Sequence, residues 1–368
     1  MGAYVGLDVH AKFCFYVAQD EEGRELGRGE VPTSRDGMIA IQRILELPDG
    51  TPVALETGTV SFFVARQLAA VGFRPVVVDA SEVRKKAWRP TQKADSRDAL
   101  ELCEGLRRGI YRTIVHVPTR DISLLREILS RRRHFVRLAS AEINASKRIL
   151  RANGLGSVPF RVHAEVSWDR LFQKLAGHDE VLSFLRRHRS AWAELHRHAE
   201  ELEEELAIAA APFEKQCRLL QTVPGVGPII ALTTIAAFAD VQRFPSAKHA
   251  ASFAGIVPTT HQSGERSLHG HITHRGSPEL RAMLCEAAQN AARPNHPLNP
   301  FFRRIAVGSG SKRAVTAVAH RLCRILFSML RHERPFDPAR LGIEMGPFVH
   351  TSTRLYRLRP APRSPHVK

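Results

Sequence analysis

The chain has 368 residues, and its 54 lysines and arginines against 37 aspartates and glutamates produce a formal net charge of +17. This balance predicts a polyanionic partner, above all the phosphate backbone of nucleic acid. No apolar run approaches the roughly 20 residues that span a bilayer and no signal peptide opens the sequence, which argues against a membrane protein and predicts a soluble, cytoplasmic one.

The first hundred residues alternate between short apolar runs typical of strands and segments with helical periodicity. Three consecutive strands come first, and helices and strands then alternate. The predicted bounds are 5–9, 13–19 and 25–31 for the strands, followed by helix 37–47, strand 52–57, helix 61–71 and strand 75–79. This order predicts an α/β domain of the ribonuclease H-like (RuvC-like) fold with a mixed sheet.

Long helices are predicted after residue 118. Residues 121–153 form one periodic, highly basic stretch, which at about 1.5 Å per residue is long enough to follow a nucleic-acid backbone or a partner helix. Residues 178–211 end in a run of glutamates that is typical of a solvated antiparallel or coiled-coil arm. Such an arm serves either as a spacer or in self-association.

The last part of the chain begins near Cys217 and is predicted to be mainly α. Its predicted elements are helix 246–254, a Gly-rich polar loop at 259–276, and helices 278–292 and 312–332. A basic tail that is predicted to be disordered follows. The predicted organisation is a RuvC-like catalytic domain that carries the acidic site (1–115), a helical arm or coiled-coil linker (116–215), a mainly α domain (216–335) and the tail (336–368).

Four acidic residues, Asp8, Glu56, Asp95 and Asp98, stand in or beside predicted apolar elements. Asp8 and Glu56 interrupt or end core strands, where a carboxylate is normally excluded unless a cation meets it. Asp95 and Asp98 are three residues apart, so a helix places them on one side. Oxygen ligands favour Mg²⁺ or Mn²⁺, and two such ions supply most of what phosphodiester cleavage needs. Taken singly, Glu56 could cap a turn and Asp98 could pair with a neighbouring arginine.

The polar loop contains Ser263 directly before a glycine, among arginines and histidines that are good phosphate partners. A serine hydroxyl is a weak nucleophile unless a base, a metal or a group of cations activates it. The alternative is a glycine-rich turn in which Ser263 makes a local backbone bond. Arg266 and Arg275 are the candidate phosphate clamps of this loop.

Residues 222–228, Thr-Val-Pro-Gly-Val-Gly-Pro, are typical of a helix-hairpin-helix turn. In such a turn the glycines, here Gly225 and Gly227, let backbone N–H groups at a helix N-terminus approach a phosphate. The alternative is a tight turn between two helices that binds nothing.

Six short motifs occur along the chain in a fixed order: Gly6-Leu-Asp-Val-His-Ala-Lys12, Leu55-Glu-Thr-Gly58, Lys93-Ala-Asp-Ser-Arg-Asp-Ala99, the 222–228 turn, Phe253-Ala-Gly-Ile-Val-Pro258, and Gln262-Ser-Gly264 through Gly270-His-Ile-Thr-His-Arg-Gly276. Together they resemble the DEDD transposases of bacterial insertion sequences. These proteins are also called bridge-RNA-guided serine recombinases, and pilin-gene invertases are their relatives. The resemblance covers roughly residues 4–332.

The resemblance implies a RuvC-like domain in which the four acids hold Mg²⁺ (or Mn²⁺), and a C-terminal transposase domain whose serine attacks DNA. By position that serine is Ser263, with Ser267 as the nearest rival, and its attack would form a covalent phosphoserine link to DNA. The resemblance further implies a structured noncoding guide RNA that pairs with donor and target DNA, and assembly as a dimer or tetramer. His274 and Arg275 stand where the family often has a lysine.

Other functions fit parts of the sequence. A RuvC-type, structure-selective nuclease that uses metal-activated water would need only the four acids, and the serine would be incidental. A sugar or acetate kinase of the actin-like superfamily also begins with Gly-x-Asp and two strands, but it needs a second glycine-rich phosphate loop that this sequence lacks. The intact set of acids argues against a nucleic-acid-binding scaffold with an inactive site.

Overall fold

The computed structural model describes residues 2–86, 94–162, 164–263, 266–273 and 276–341, with the backbone alone for residues 260–263, 266–271, 340 and 341. The chain divides into two compact units, Met1–Thr119 and Arg120–Lys368. No helix in the described ranges is long and apolar enough to cross a membrane.

The first unit is built on a five-stranded mixed sheet. Its elements are β1 (Ala3–Val9), β2 (Phe13–Asp20), β3 (Glu25–Pro32), α1 (Arg35–Ile44), β4 (Pro52–Glu56), α2 (Ser61–Ala70), β5 (Arg74–Val78), α3 (Ala80–Lys86) and α4 (Asp95–Arg107). The strand order is β3-β2-β1-β4-β5, in which β1 to β3 pair antiparallel while β4 pairs parallel with both β1 and β5. The predicted mixed sheet is confirmed, although the short helix α3 was not predicted.

Side chains at alternate positions of β1 and β4 lie on opposite faces of this sheet. Odd-numbered residues of β1 and β4, such as Val5, Leu7 and Val53, pack in one core with residues of α1 and α2. Since successive side chains of a strand point to opposite faces, the even-numbered residues face the other side. There α4 packs against β1, β2 and β4 and buries its apolar stripe.

Gly6 in β1 allows α4 to approach the sheet closely. A Cβ at this position would overlap the carbonyl oxygen of Ala99 and the amide nitrogen of Cys103. The Cys103 thiol donates to the carbonyl oxygen of Tyr4 at 3.2 Å, which ties the helix to the same strand. The start of α4 is thereby held over the carboxyl end of β1.

The second unit is mainly α, as predicted. Its helices are α5 (Arg120–Ala152), α6 (Glu165–Lys174), α7 (Asp179–Ala209), α8 (Glu214–Leu220), α9 (Pro228–Phe238), α10 (Ala247–Phe253), α11 (Pro278–Gln289), α12 (Asn299–Ser309) and α13 (Ser311–His332). Short 3₁₀ turns occupy 211–213, 241–243, 290–292 and 338–341. A two-stranded antiparallel sheet is formed by β6 (Pro258–Ser263) and β7 (Arg266–Ile272).

Two predictions for the second unit were wrong. The polar loop at 259–276 is largely the β6-β7 hairpin, which was missed because its sequence lacks the alternation of apolar residues that marks a half-buried strand. Helix α12 was also missed, because a proline-rich stretch that reads as a breaker leads into it. Pro300 lies in the first turn of α12, where a proline is tolerated.

Helices α5 and α7 pack side by side and run antiparallel. Arg132 pairs with Glu203 at 2.6 Å, and Glu142 pairs with His188 at 2.6 Å, so residue numbers rise along one helix as they fall along the other. One end of the pair belongs to the main core of this unit. The other end has a core of its own around Trp168, which is fully buried against aromatic neighbours.

Candidate metal centre and serine hairpin

Two of the four predicted acids occupy neighbouring positions in the sheet of the first unit. Asp8 is the second-last residue of β1, and Glu56 is the last residue of β4. These strands are parallel neighbours in which Leu7 pairs with Leu55, so Asp8 and Glu56 are the next residues along both strands. Because both are even-numbered positions, both face α4.

Asp95 joins Asp8 from the first residue of α4. One carboxylate oxygen of Asp8, one of Asp95 and a ring nitrogen of His10 all lie within 4.8 Å of one another. Nε2 of His10 lies 3.1 Å from Oδ2 of Asp8 and 3.4 Å from Oδ2 of Asp95. The structure therefore brings together two acids that are far apart in the sequence.

His10 was missed as a site residue, although it lies in the first motif. Its amide N–H donates to the carbonyl oxygen of Phe13 at 2.9 Å, and its own carbonyl accepts a bond from Thr33 Oγ1 at 2.8 Å. The rings of His10 and Phe13 lie 4.6 Å apart. These contacts hold the imidazole beside Asp8, and an Asp-x-His spacing at the end of a strand was the signal that could have identified it.

Glu56 and Asp98 lie on the elements that adjoin this group. Within the described residues, the ligand atoms that converge are those of Asp8, His10 and Asp95, and do not include Glu56 or Asp98. Both of these acids are half-buried, and each takes part in a polar interaction. Asp95 and Asp98 share the first turn of α4, where the helix dipole favours negative charge.

The converging donors suit a hard divalent cation. Two carboxylates at this separation repel each other, and a cation between them removes that repulsion. Their side chains are 21% and 45% exposed, which leaves the group open to solvent and to a ligand. Carboxylate oxygens suit both Mg²⁺ and Mn²⁺, whereas imidazole favours transition metals. Burial raises the pKa of the nearby Cys14 thiol, with the Asp8 charge acting in the same direction, so this thiol stays protonated and is a poor ligand.

Ser263 is the last residue of β6 and pairs with Arg266, the first residue of β7. The candidate nucleophile therefore stands at the turn of a hairpin, on a two-stranded sheet, and the rival Ser267 stands opposite Gln262 in the next pair. An amide N–H of Thr273 donating to the carbonyl oxygen of Val257 at 3.0 Å closes the base of the hairpin. Arg275, a predicted phosphate clamp, lies outside the described residues.

The predicted helix-hairpin-helix turn joins α8 to α9. Gly225 has a φ of +81°, and a Cβ there would lie 2.9 Å from the side chain of Asn290, so this position needs glycine. Gly227 directly precedes α9, and a Cβ there would meet nothing within 4 Å. The backbone is therefore open to a ligand at Gly227, while Gly225 serves the packing of the turn.

Buried His296 forms a hydrogen bond to this turn. Its Nδ1 accepts a bond from the amide N–H of Leu298 at 3.0 Å, so its Nε2 carries the proton and donates to the carbonyl oxygen of Pro224 at 3.1 Å. Burial lowers the pKa of His296, and Arg293 acts in the same direction. The histidine is thus neutral and links the turn to the segment before α12.

Comparisons with known proteins match parts of both units to transposase families. Residues 5–153 match a family model described as a transposase of the DEDD type, and residues 217–303 match the model of the Transposase IS116/IS110/IS902 family. The first match contains all four acids and His10, and the second contains the helix-hairpin-helix turn and the serine hairpin.

Similar individual proteins agree with these matches. The pilin gene-inverting protein of Moraxella bovis is 36% identical over 32% of this chain and 38% of its own length. The transposase for insertion sequence element IS1111A of Coxiella burnetii is 29% identical over 36% of this chain and 38% of its own length. A probable family 20 transposase of Pseudomonas aeruginosa is 25% identical over 78% of this chain and 86% of its own length.

The chain is thus similar to the transposases of insertion sequences and to the pilin gene-inverting proteins. The resemblance inferred from the six motifs is thereby confirmed. The aligned part spans about two fifths of the length of the first relatives named above.

Proposed function

We propose that this protein cleaves and exchanges DNA strands to move an insertion sequence. The observation that carries the proposal is the convergence of Asp8 and Asp95 within the segment that matches the DEDD transposase model. The order and pairing of the five strands support a ribonuclease H-like fold for the first unit. The chain would act in the cytoplasm, with a catalytic domain (1–115), a helical arm (116–215), a transposase domain (216–335) and a basic tail.

In this proposal Asp8, Glu56, Asp95 and Asp98 hold Mg²⁺ or Mn²⁺. A bound divalent cation would neutralise charge on the scissile phosphate and favour deprotonation of the attacking hydroxyl. The parallel register of β1 and β4 and the close packing of α4 on β1 support the grouping, because they direct acids from three elements to one side of the sheet.

Ser263 is the proposed nucleophile. Its oxygen attacks a phosphorus atom of the DNA backbone and forms a new P–O bond, while the bond from that phosphorus to one sugar oxygen breaks. The serine proton passes to a base, and the departing sugar oxygen takes up a proton. Attack by a sugar hydroxyl of another strand reverses the step and releases the serine, so strands are exchanged without net hydrolysis.

The proposed partners are donor and target DNA, a structured noncoding guide RNA and further copies of the chain in a dimer or tetramer. The net charge of +17 supports nucleic acid as the ligand. Arg266, Arg275 and the turn at Gly225 and Gly227 are proposed contacts to phosphates. The antiparallel pair of α5 and α7 supplies a long surface for self-association.

A denaturing gel tests the serine step. Labelled donor DNA would be incubated with the protein, Mg²⁺ and RNA copied from the flanks of the element, and the wild type compared with Ser263→Ala. The matched control is Ser267→Ala, which removes the rival hydroxyl from the partner strand of the hairpin. We expect a protein-linked DNA band with the wild type and with Ser267→Ala, and none with Ser263→Ala.

Two outcomes would change the proposal. Equal amounts of free-ended cuts from the wild type and Ser263→Ala would favour a nuclease that uses water and the acids alone. Loss of the linked band only in Ser267→Ala would transfer the nucleophilic role to that residue. Omitting the RNA in a parallel lane tests guidance separately, since unguided cleavage would still report on the serine.

A further inference from the structure

The second unit contains a cavity of about 580 Å³ that the proposed cleavage reaction does not use. It lies between α10, α12, α13 and residues 334–337. Its size falls in the range of sites that enclose a small ligand, roughly 300–1,000 Å³. All of its lining residues belong to the described part of the chain.

The cavity carries an excess of positive charge. Three arginines, Arg321, Arg324 and Arg334, line it together with a single carboxylate, that of Asp337. In the described residues neither Arg324 nor Arg334 forms an ion pair. The helix dipole at the C-terminus of α13 does not account for the presence of Arg321 and Arg324, because both lie in the middle of the helix rather than in its last turn. The cavity therefore suits an anionic ligand.

Its walls also suit a flat aromatic ligand. Phe301 lines the cavity from α12, and its ring lies 4.9 Å from the guanidinium of Arg321 and 5.4 Å from that of Arg304. Ile325 and Met329 line the cavity from α13, and Phe336 lines it from the segment that follows this helix. Aromatic faces and guanidinium planes are the surfaces on which proteins stack unpaired bases.

Helix α13 uses two different faces for these contacts. Val318, Leu322 and Leu326 pack in the core of the unit, whereas Ala317, Arg321 and Arg324 face the cavity. His320 lines it as well, and burial lowers its pKa, with Arg324 acting in the same direction. A neutral imidazole can both donate and accept a hydrogen bond, as the edge of a base requires.

We propose that this cavity binds an unpaired nucleotide of a nucleic-acid strand. The base stacks against Phe301 and the apolar side of α13, and the phosphate is held by Arg324 and Arg334. The cavity is lined by none of the four acids and by no residue of the serine hairpin, so the proposal does not depend on the cleavage chemistry. DNA and RNA share this chemistry, and the test distinguishes them.

The test measures binding of the full-length protein to short fluorescent oligonucleotides in EDTA, so that no metal-dependent step contributes. Single-stranded DNA and RNA of one sequence are compared by fluorescence anisotropy over a range of salt concentrations. The variants are Phe301→Leu and Arg324→Gln. The control is Arg303→Gln, which removes the same charge from an exposed position of α12 outside the cavity.

We expect Phe301→Leu to weaken binding by about tenfold through lost stacking, without changing the salt dependence. Arg324→Gln should weaken binding and lower the slope of log affinity against log salt by roughly 0.7, as for one lost phosphate contact. Arg303→Gln should have little effect. The strand type with the larger loss in both cavity variants, DNA or RNA, is the one that the cavity accepts.

Equal weakening by Arg303→Gln and Arg324→Gln would overturn the proposal, because general charge would then explain binding. An unchanged affinity of a folded Phe301→Leu protein would also overturn it. If Phe301→Leu unfolds, photo-cross-linking of an iodouridine-substituted oligonucleotide to the wild type replaces it. Cross-links at Phe301 or Met329 would support the site, and cross-links confined to other segments would refute it.

Discussion

Gly6 in β1 and Ala99 in α4 meet backbone to backbone, since a Cβ on Gly6 would overlap the carbonyl oxygen of Ala99. This contact sets how closely α4 approaches the sheet. Asp95 begins the same helix and Asp8 lies two residues after Gly6, so the glycine controls the distance between the two carboxylates. The candidate metal centre therefore depends on a residue that carries no functional group.

Gly6→Ala is expected to lower the free energy of unfolding by about 1–3 kcal/mol, the usual cost of an overpacked contact. Because α4 must shift away from β1, the variant should also bind Mn²⁺ more weakly. Urea unfolding and Mn²⁺ titration measure the two effects. Gly58→Ala is the control, because a Cβ there has open space, and it should change stability by less than about 0.5 kcal/mol. Equal stability of the two variants would contradict the packing explanation.

His10→Gln is expected to weaken Mn²⁺ binding by about 10- to 100-fold, the range found for groups that position metal ligands. The reason is that its Nε2 lies within 3.4 Å of an oxygen of both Asp8 and Asp95. Electron paramagnetic resonance of free Mn²⁺ measures the affinity, with His116→Gln as a control in the same unit. Tighter binding by His10→Gln would mean that the imidazole competes with the cation instead of helping to hold it.

The stability of the second unit should fall in mild acid because of His296. Burial lowers its pKa below the ordinary value of 6.5, so the unfolded chain takes up a proton at a higher pH than the folded one. The free energy of unfolding is therefore unaffected by this group well above pH 6.5 and decreases as the pH falls below it, by up to about 1.4 kcal/mol per pH unit. The decrease ends once the pH is below the pKa of the folded state.

Urea unfolding of the wild type and His296→Gln at several pH values measures this contribution. The variant should lose part of the pH dependence, since glutamine does not titrate. His249→Gln, which changes an exposed histidine of the same unit, should keep the slope of the wild type. Identical slopes for all three proteins would remove His296 as a source of acid sensitivity.

Arg126→Met should destabilise the second unit by about 1–3 kcal/mol. The Arg126 guanidinium in α5 donates to the carbonyl oxygens of Ala236 at 2.8 Å and Ala237 at 3.3 Å, which lie at the end of α9. Methionine fills similar space but leaves these carbonyls without that donor. Thermal and urea unfolding measure the loss.

The matched control is Arg131→Met, also in α5, where the arginine is exposed and pairs with Glu127 on the surface. We expect a change of less than about 1 kcal/mol there. A loss as large as that of Arg126→Met would show that helix α5 itself, and not its bond to α9, is sensitive to losing an arginine.

The strands of the first unit could be predicted because their apolar residues alternate or run without interruption. Val5, Leu7, Val53 and Leu55 indicated buried strands, and they lie in the core of the sheet. The hairpin that ends at Ser263 could not be predicted in this way, because its strands are polar and are defined by backbone pairing. His10 was not predicted as a site residue for a different reason, because a single histidine after a strand can have many structural roles.

The sequence by itself determined the resemblance to transposases, through six motifs, and the mixed sheet, through hydrophobic periodicity. Both are local properties that are carried by adjacent residues. Only the tertiary structure decided that Asp8, His10 and Asp95 converge. That convergence depends on how closely α4 packs on Gly6 and on which strands are neighbours, and no spacing along the chain encodes either of these distances.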